Sequence, residues 1–522
     1  MRGATWMLLG LGGVVTTAWG QNLSFTSVLD SDSSVPGAGT LSFVGQVVLQ
    51  DDNAVASIVR FGPAGNSTNA VTFNPTPGNS AAAVVVKQQD AHAAFGVSGG
   101  GDFDEFHNLA AAGGNVTFAA VEETVTTGRG IMRYAHDATS PLRFAIHFDG
   151  DMISGSHAAL YTDFGLPAYG VNSAGRLVYS PWTVAPSPLH TQFVARFDGT
   201  SSTRIHDAST GVGKFNLLDS YFLTRKSLTE SGHAVFVGDA GDGRRIYDVA
   251  PNPSPMPSVR VEKSLEGGVY EPQQLLAATG DAAIGATLFR AFKDRTNPTN
   301  DDWKKGALLV QSPTGLRELG SFDLSPGSGV SGPEVTAEMS DNGRIAAFLP
   351  DANGGHVVYY DAAAGGIPLN IAAVGTNVVG GFSIAQVGRD GLSVPMVNEN
   401  GTIVFDAVLT DGVDQRDALL AWTVGSDDPF VVVRVGDTIS IDGNDETIFS
   451  LATIGPMALG ELYYDADVRK DGLNDDDFLA FGVRYDDGAS TAILLTQIPE
   501  PAGALVLLSL AGATLLRRTG GR

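Results

Sequence analysis

The sequence predicts an all-β protein, a β-propeller of seven blades, with eight blades as the alternative. Three observations predict this fold class. Short runs rich in Val, Ile, Phe, Tyr and Ala alternate with clusters of Gly, Asp, Asn and Ser, as strands alternate with turns. Long stretches with the 3.6-residue period of a helix are nearly absent. One turn-and-strand segment also recurs at intervals that suit a four-stranded blade.

The recurring segment reads Asn-x-x-Gly-x-x-x-aromatic. Residues 172–179 and 398–405 match it in full, and other copies differ at one position or are weaker. The turn positions are Asn172, Gly175, Gly232, Gly343, Asn398, Gly401 and Asn474. The aromatic positions are Phe118, Tyr179, Phe236, Phe289, Phe348, Phe405 and Phe481. Five of their six separations lie between 53 and 61 residues.

A turn that feeds a strand explains the residue types of the segment. Asn bonds its side chain to nearby backbone, and Gly supplies the positive φ that closes the turn. The alternating residues that follow send every second side chain into a core. A second apolar run comes after each copy, as at residues 418–422, so each repeat contains a hairpin and further short strands.

The two ends of the body predict how the ring closes. The last copy reaches only its second strand before residue 497, so its blade is incomplete. We expect the apolar runs at 23–29 and 41–45 to complete it, which makes seven blades. Positions 43 and 95 are the possible markers of a further copy, which would make eight.

Residues 1–20 have the features of a secretory signal peptide. Arg2 precedes an apolar run at 7–15, and Ala18 and Gly20 form a small-x-small site before the body begins at residue 21. The run is too short to span a membrane. We therefore expect the body, 21–497, to be exported.

Residues 498–522 form a tail of three parts, a Pro-Glu-Pro motif, an apolar stretch at 502–516 and a basic end. The apolar stretch is shorter than the ~20 residues that span a bilayer comfortably, and we predict a short hydrophobic helix there. The prolines prevent a strand from continuing into it, and the arginines end it as a charge stop does. The positions that carry this signal are Pro499, Glu500, Pro501, Arg517 and Arg518.

This tail resembles the PEP-CTERM sorting signal of Gram-negative bacteria. The resemblance implies transient insertion at the periplasmic face of the inner membrane and cleavage by an exosortase-type enzyme. It also implies delivery to the cell surface or extracellular matrix. A retained membrane anchor is the alternative. The repeat, in segments such as 397–412 and 433–439, resembles exported bacterial proteins with tandem NxxGxxxF repeats and interchangeable anchors, a group that implies no catalytic residues.

Composition excludes several classes of partner and chemistry. The chain has 32 Lys and Arg against 57 Asp and Glu, a net charge of −25. Nucleic acids and anionic lipids require a basic surface, so neither is expected as a main partner. With no cysteine, the chain forms no disulfide, thiolate metal site or cysteine nucleophile.

Catalytic motifs are missing from the sequence, but residues 100–160 depart from the repeat and carry histidines and carboxylates. The catalytic candidates in this region are Asp104, His107, His136 and His147. Solvated loops or structural histidines are the alternative interpretation. Acidic turns also offer oxygen ligands for calcium at Asp442, Asn444, Asp471 and Asp475, without the spacing of an EF-hand. Calcium is the cofactor that these turns suggest, and acidic turns without a metal are the alternative interpretation.

These observations favour a non-enzymatic exported propeller with a binding or structural role, directed at extracellular polysaccharide. The alternative is a carbohydrate-active lyase or hydrolase with an acid/base site at the propeller mouth. A self-associating coat protein is disfavoured in the absence of calcium, because the net charge makes copies repel one another.

Overall fold

The computed structural model describes residues 23–499 outside a set of gaps. The gaps are 32–38, 64–66, 79–81, 99–100, 122–127, 137–140, 150, 154–155, 160–168, 184–192, 208–222, 225, 240–243, 252–256, 263, 267–268, 281–284, 296–302, 324–334, 352, 389–394, 452–472, 486–487 and 489. The predicted signal peptide and most of the C-terminal tail, including its helix, lie outside the described residues.

Eight antiparallel sheets follow one another along the chain and form the blades of a β-propeller. The chain begins with β1 (Thr26–Asp30), which belongs to the eighth blade. The first blade comprises β2 (Leu41–Leu49), β3 (Val55–Phe61), β4 (Thr68–Asn74) and β5 (Ala83–Lys87). The second comprises β6 (Glu105–Ala112), β7 (Asn115–Val121), β8 (Arg129–Ala135) and β9 (Leu142–Phe148). A 3-10 helix, His92–Phe95, lies between them.

The third and fourth blades are less regular than the first two. A small separate sheet contains β10 (Met152–Ile153), β11 (Ser156–Ala159) and β14 (Trp182–Thr183). The third blade comprises β12 (Tyr169–Val171), β13 (Leu177–Tyr179), β15 (Phe193–Phe197) and β16 (Ser202–Asp207). The fourth comprises β17 (Ala234–Asp239), β18 (Arg244–Val249) and β19 (Ser258–Val261). Its inner position is taken by residues 226–228, which form isolated bridges.

The remaining four blades complete the ring. The fifth comprises β20 (Tyr270–Ala278), β21 (Thr287–Arg295), β22 (Trp303–Ser312) and β23 (Gly315–Asp323). The sixth comprises β24 (Thr336–Met339), β25 (Arg344–Leu349), β26 (His356–Asp361) and β27 (Leu369–Ala373). The seventh comprises β28 (Asn377–Val378), β29 (Phe382–Val387), β30 (Met396–Val397), β31 (Thr402–Thr410), β32 (Gln415–Thr423) and β33 (Phe430–Arg434). The eighth comprises β34 (Thr438–Ile441), β35 (Asn444–Leu451), β36 (Phe478–Tyr485) and β37 (Ser490–Gln497), joined by β1.

The hydrophobic core lies between successive blades rather than in one central mass. Separate clusters join the first blade to the second and the second to the third, and one larger cluster joins the third, fourth and fifth. Further clusters join the fifth blade to the sixth, the sixth to the seventh and the seventh to the eighth. A last cluster joins the eighth blade back to the first through Leu29, Val44 and Ile493. The repeat aromatics lie on the second strand of their blades and are buried, with Phe405 only 1% exposed. They therefore fill the space between sheets, as the alternation predicted.

The predicted closure is confirmed for the first apolar run. β1 pairs antiparallel with β37, so Thr26 lies opposite Leu495 and the N-terminal strand becomes the outer strand of the eighth blade. The second run does not take part, because residues 41–45 begin β2, the inner strand of a blade of their own.

The blade count is eight, so the prediction of seven is wrong and the alternative is correct. The first blade escaped the repeat search because its turn has Gln50 and Asn53 where the other copies favour Asn and Gly, and Ser57 stands at the aromatic position. Asn53 still adopts φ 65°, so the turn keeps its geometry. The proposed markers are elsewhere, Phe43 on β2 and Phe95 in the 3-10 helix.

Only one 3-10 helix and no α-helix occur in the part of the chain that the structure describes. In the same residues, no helix has the length and apolar character required to cross a membrane.

Candidate functional site

The repeat turn connects the inner strand of a blade to its second strand, and its first residue holds the turn closed. The Asn398 side-chain oxygen accepts the backbone N–H of Thr402 at 2.9 Å. Asn172 and Asn474 make the same contact with the residue four positions on, and Ser340 and Thr229 make it with their hydroxyls. The predicted turn glycines all have positive φ, as at Gly401 with 82°. These contacts and φ angles are the ones that a turn feeding a strand requires.

The same asparagines also join neighbouring blades, which the sequence did not predict. The side-chain amide of Asn172 donates to the backbone oxygen of Thr229 at 3.3 Å. That of Asn398 donates to Asn474 at 2.8 Å, and that of Asn474 donates to Gln50 at 3.1 Å. Each acceptor is the first turn residue of the next blade. The motif asparagines therefore link the third blade to the fourth, the seventh to the eighth and the eighth to the first, and the last of these bonds crosses the closure of the ring.

The second residue of the turn forms a parallel set of contacts at three of the blade junctions. The backbone N–H of Glu399 donates to the Asp475 carboxylate at 2.8 Å, and the backbone N–H of Asp475 donates to the Asp51 carboxylate. Ser173 donates its backbone N–H to Glu230 at 2.9 Å in the same way. Each carboxylate thus accepts a bond from the preceding blade. At these three junctions the acceptor is an acid at the second turn position of the next blade.

These turns converge on one end of the propeller axis and form its mouth. The mouth contains a cavity of about 340 Å³ to which turns of seven blades contribute. The carboxylates that line it are Asp51, Asp52, Glu230, Glu338, Asp341, Glu399 and Asp475. Among the described lining residues, Lys226 is the one basic side chain, and its ammonium lies 2.8 Å from Asp341. The mouth is therefore strongly acidic.

The negative charge of the mouth is only partly compensated. Burial raises the pKa of Asp51, Glu399 and Asp475 above ordinary carboxyl values. Repulsion among these groups and from Asp341 adds to the rise, while Lys226 opposes it. A ligand that brings positive charge or hydrogen-bond donors would relieve this repulsion.

The catalytic candidates are not brought together. Among the described lining residues of the mouth, none of the four occurs. Asp104 accepts a bond from Gln88 at 2.6 Å, and His107 pairs with Glu105 at 3.0 Å near the start of β6, the end farther from the mouth.

The two other histidines occupy separate positions in the second blade. His136 follows β8, where its ring packs on Phe73, and His147 lies on β9, where it is 1% exposed beside Tyr179. These contacts fit the structural interpretation of both residues.

The calcium candidates are likewise dispersed. Asp442 and Asn444 lie at the hairpin between β34 and β35, where the Asp442 carboxylate accepts the backbone N–H of Ser27 at 3.1 Å. Asp475 belongs to the mouth, and Asp471 lies outside the described residues. Within the described ranges, no group of three or more His, Asp or Glu side chains is arranged to hold a metal ion.

The residues of the sorting signal are almost all outside the described part of the chain. Pro499 is its last described residue, while Glu500, Pro501, Arg517 and Arg518 lie beyond it.

Sequence reasoning missed the mouth carboxylates although their signal was present. The second turn position is acidic at Asp51, Glu230, Asp341, Glu399 and Asp475. The repeat is recognised by its Asn, Gly and aromatic positions, and the acid beside the Asn is not part of that pattern. A residue type that repeats at one position of a circular fold is placed around the axis, so the recurring acid predicts an acidic mouth.

The fold and the site define an eight-bladed β-propeller with an acidic axial mouth. No protein-family model matches the chain, and no curated protein matches it.

Three solved structures illustrate what the chain is similar to. A chain from work on two prolyl endopeptidases shares 12% identity, covers 70% of this chain and has a TM-score of 0.37. This chain spans 45% of that protein's length. An oligogalacturonate lyase in complex with manganese shares 12% identity, with 74% of this chain and 98% of that one covered and a TM-score of 0.36. Dipeptidyl peptidase 4 of Porphyromonas gingivalis shares 10% identity, with 89% and 54% covered and a TM-score of 0.31. At these values the likenesses assign no activity to this chain.

Proposed function

We propose that this protein is an exported, surface- or matrix-sorted propeller that binds extracellular polysaccharide at its axial mouth without changing it chemically. The observation that carries the proposal is the cavity of about 340 Å³ framed by turns of seven blades. A cleft of this size, into which polar groups from several elements converge, is the default place to expect ligand binding.

The charge of the mouth selects the class of polysaccharide. Carboxylates only accept hydrogen bonds when ionised, so the ligand must supply donors. Sugar hydroxyls supply neutral donors, and protonated amino groups supply charged ones, which form the stronger bonds. We expect amino-bearing polymers to bind most tightly, neutral polymers less tightly and carboxylate-bearing polymers least. Lys226, whose ammonium already lies against Asp341, shows that the mouth accommodates a cationic nitrogen.

The cellular location of the protein is part of the same proposal. The signal peptide at 1–20 would export the chain, and the apolar segment 502–516 would hold it at the inner membrane. Exosortase-type machinery would then act at Pro499–Glu500–Pro501 and deliver the body to the surface or matrix of a Gram-negative bacterium.

Retention of the purified protein on three immobilised polymers tests the ligand class. Chitosan presents free amino groups, chitin presents the acetylated form, and alginate presents carboxylates. We expect retention in that order, and soluble products are measured in the same tubes. Absence of retention on all three polymers would contradict the proposal.

A pair of variants locates the binding site. Asp51→Asn with Asp475→Asn removes two mouth charges and should weaken chitosan binding about tenfold or more. Asp411→Asn with Asp414→Asn removes two charges at the exposed β31–β32 turn, which lies at the opposite face, and should leave binding unchanged. An equal loss in both variants would show that net charge alone, rather than the mouth, attracts the polymer.

A second candidate function, a carbohydrate-active lyase or hydrolase, is favoured by one observation. Burial raises the pKa of Asp475, which lies beside Asp51 and Asp341 at the mouth, and a carboxyl of raised pKa among other carboxyls is a candidate general acid. Release of reducing or unsaturated ends in the retention assay would support this function. Its loss in Asp475→Asn, with normal retention on the polymer, would assign the acid to the mouth.

A further inference from the structure

The C-terminal end of the described chain leaves the propeller at the mouth face. β37 runs antiparallel to β36, which starts at the mouth, so β37 ends there. The backbone N–H of Ile498 donates to the oxygen of Asp477 at 2.7 Å, and Asp477 closes the mouth turn of the eighth blade. Ile498 is 1% exposed. The chain is therefore held at this face up to residue 498.

The N-terminal end of the described chain lies at the same place. The Thr496 hydroxyl donates to the backbone oxygen of Ser24 at 2.9 Å, because β1 pairs with β37 along the outside of the blade. Both ends therefore meet at the outer part of the eighth blade. The mouth cavity lies on the same side of the propeller.

The connection from Ile498 to the apolar segment 502–516 is short. Four residues span at most ~14 Å when fully extended. β36 has eight residues, so the blade is ~26 Å high at ~3.3 Å per residue. The connection is too short to run down the blade to the opposite face. Once the apolar segment has entered a bilayer, the face of the propeller opposite the mouth therefore cannot lie against the membrane.

We infer that insertion of the C-terminal segment turns the acidic mouth toward the membrane surface. The inference rests on the membrane-inserting tail of the proposed function. It adds that the bilayer, within about 14 Å of the mouth face, restricts the approach of a polymer to the mouth of the tethered protein. The mouth becomes fully accessible to a macromolecular ligand when the chain leaves the membrane.

Charge repulsion between the mouth and the lipid does not prevent this orientation. Carboxylates repel anionic headgroups, but the repulsion is screened beyond ~8 Å at physiological ionic strength. A connection of up to ~14 Å holds the mouth at a distance where screening is effective.

Two single-cysteine variants of the full chain test the orientation, and the absence of natural cysteines makes each label unique. Val424 lies at the mouth face, where its N–H donates to Gly401, and is 44% exposed. Val413 lies at the other end of the same hairpin and is 89% exposed. Val424→Cys and Val413→Cys carry the same donor dye. The protein is inserted in phosphatidylcholine vesicles whose headgroups carry an acceptor dye.

We expect clearly higher energy transfer from position 424 than from position 413. Equal or reversed transfer would overturn the orientation while the protein stays bound to the vesicles, and it would leave binding at the mouth untouched. Failure of the chain to associate with vesicles would overturn the proposed membrane tail, and this inference with it. Leu508→Arg within the apolar segment is the control, and it should abolish association and transfer from both labels.

Discussion

The side-chain amide of Asn398 donates to the backbone oxygen of Asn474 at 2.8 Å, so the first residue of one repeat is bonded to the first residue of the next. The two are 3% exposed and 76 residues apart in sequence. The contact explains why the repeat favours Asn over Ser or Thr at this position. The amide can close its own turn with its oxygen and join the neighbouring blade with its nitrogen.

Asn398→Ala should destabilise the protein by about 2–5 kcal/mol, because it leaves the Thr402 N–H and the Asn474 oxygen without this partner in a buried place. Asn398→Asp should be no better, since its carboxylate would face Asp477 in place of an amide donor now 2.7 Å away. The denaturant midpoints of unfolding measure the loss of stability in both variants. The control is Asn353→Ala at an exposed turn position, where the backbone N–H rather than the side chain bonds to Asp351, and equal midpoints for the 398 and 353 alanine variants would contradict the role of the amide.

The mouth carboxyls should make the protein more stable against unfolding as the pH falls from neutral toward the ordinary pKa of a carboxyl group. The folded pKa values of Asp51, Glu399 and Asp475 are raised, so their favourable contribution exists below the ordinary pKa. It is lost as pH rises through the folded values. Asp475→Asn should therefore melt above the natural protein at pH 7.5, by roughly a degree or two, and the difference should shrink toward pH 5.

Asp411→Asn is the matched control for this pH dependence. Backbone N–H groups of Asp414 and Val413 lower the pKa of Asp411, so its removal should not reproduce a gain at neutral pH. Calorimetry of the three proteins at several pH values decides the matter. A constant melting difference for Asp475→Asn across the range would contradict the assignment.

Lys226→Met should strengthen binding of an amino-bearing polymer several-fold, because it removes the ammonium that lies against Asp341 and frees that carboxylate. The effect should diminish with added salt, since surface charges are screened. Titration of chitosan fragments at two ionic strengths measures it. Weaker binding by the variant would show that Lys226 contacts the ligand instead of competing with it.

Asp248→Asn should cost about 3–5 kcal/mol, because it breaks a buried charge network in the fourth blade. Asp248 accepts bonds from Arg260 at 3.0 Å and His233 at 2.6 Å, and both Asp248 and Arg260 are only 2% exposed as side chains. Arg260 also donates to the backbone of Thr279 in the fifth blade. Glu262→Gln, which breaks the exposed pair with Arg245, should cost less than about 1 kcal/mol. Similar unfolding midpoints for the two variants would contradict the network's importance.

Leu29→Ala should destabilise the ring by about 2–5 kcal/mol, because Leu29 is 2% exposed in the cluster between the eighth and first blades. Val413→Ala, at a side chain 89% exposed, should change stability by at most about 0.5 kcal/mol. Thermal unfolding measures the stability of the two variants. A neutral Leu29→Ala would show that β1 does not hold the ring closed.

Much of the fold could be predicted because its information is local. A turn such as 398–401 needs residues that bond or bend backbone, and the strand after it needs an alternating core face, so the repeat is visible in sequence. The first blade was missed because Gln50 and Asn53 perform the turn with different side chains, and Ser57 is buried against Thr72 in place of an aromatic ring. The turn of the first blade therefore has the same geometry as the other turns, although its residue types differ.

The candidate site could be predicted only in part. The sequence indicated a propeller mouth, but the histidines and carboxylates at 100–160 were chosen because they were close along the chain. The tertiary structure places Asp104 and His147 on different parts of the second blade. Asp51 and Asp475, 424 residues apart in sequence, are joined at the mouth by a hydrogen bond.

The sequence alone determined the all-β class, the repeat, the buried aromatic positions and closure by the N-terminal strand. Each of these depends on residue types within a few positions of one another. The tertiary structure decided the blade count, the second bond of the motif asparagines and the ring of carboxylates at the mouth. These depend on which turns become neighbours once the ring closes, and that arrangement arises from packing between blades, not from spacing along the chain.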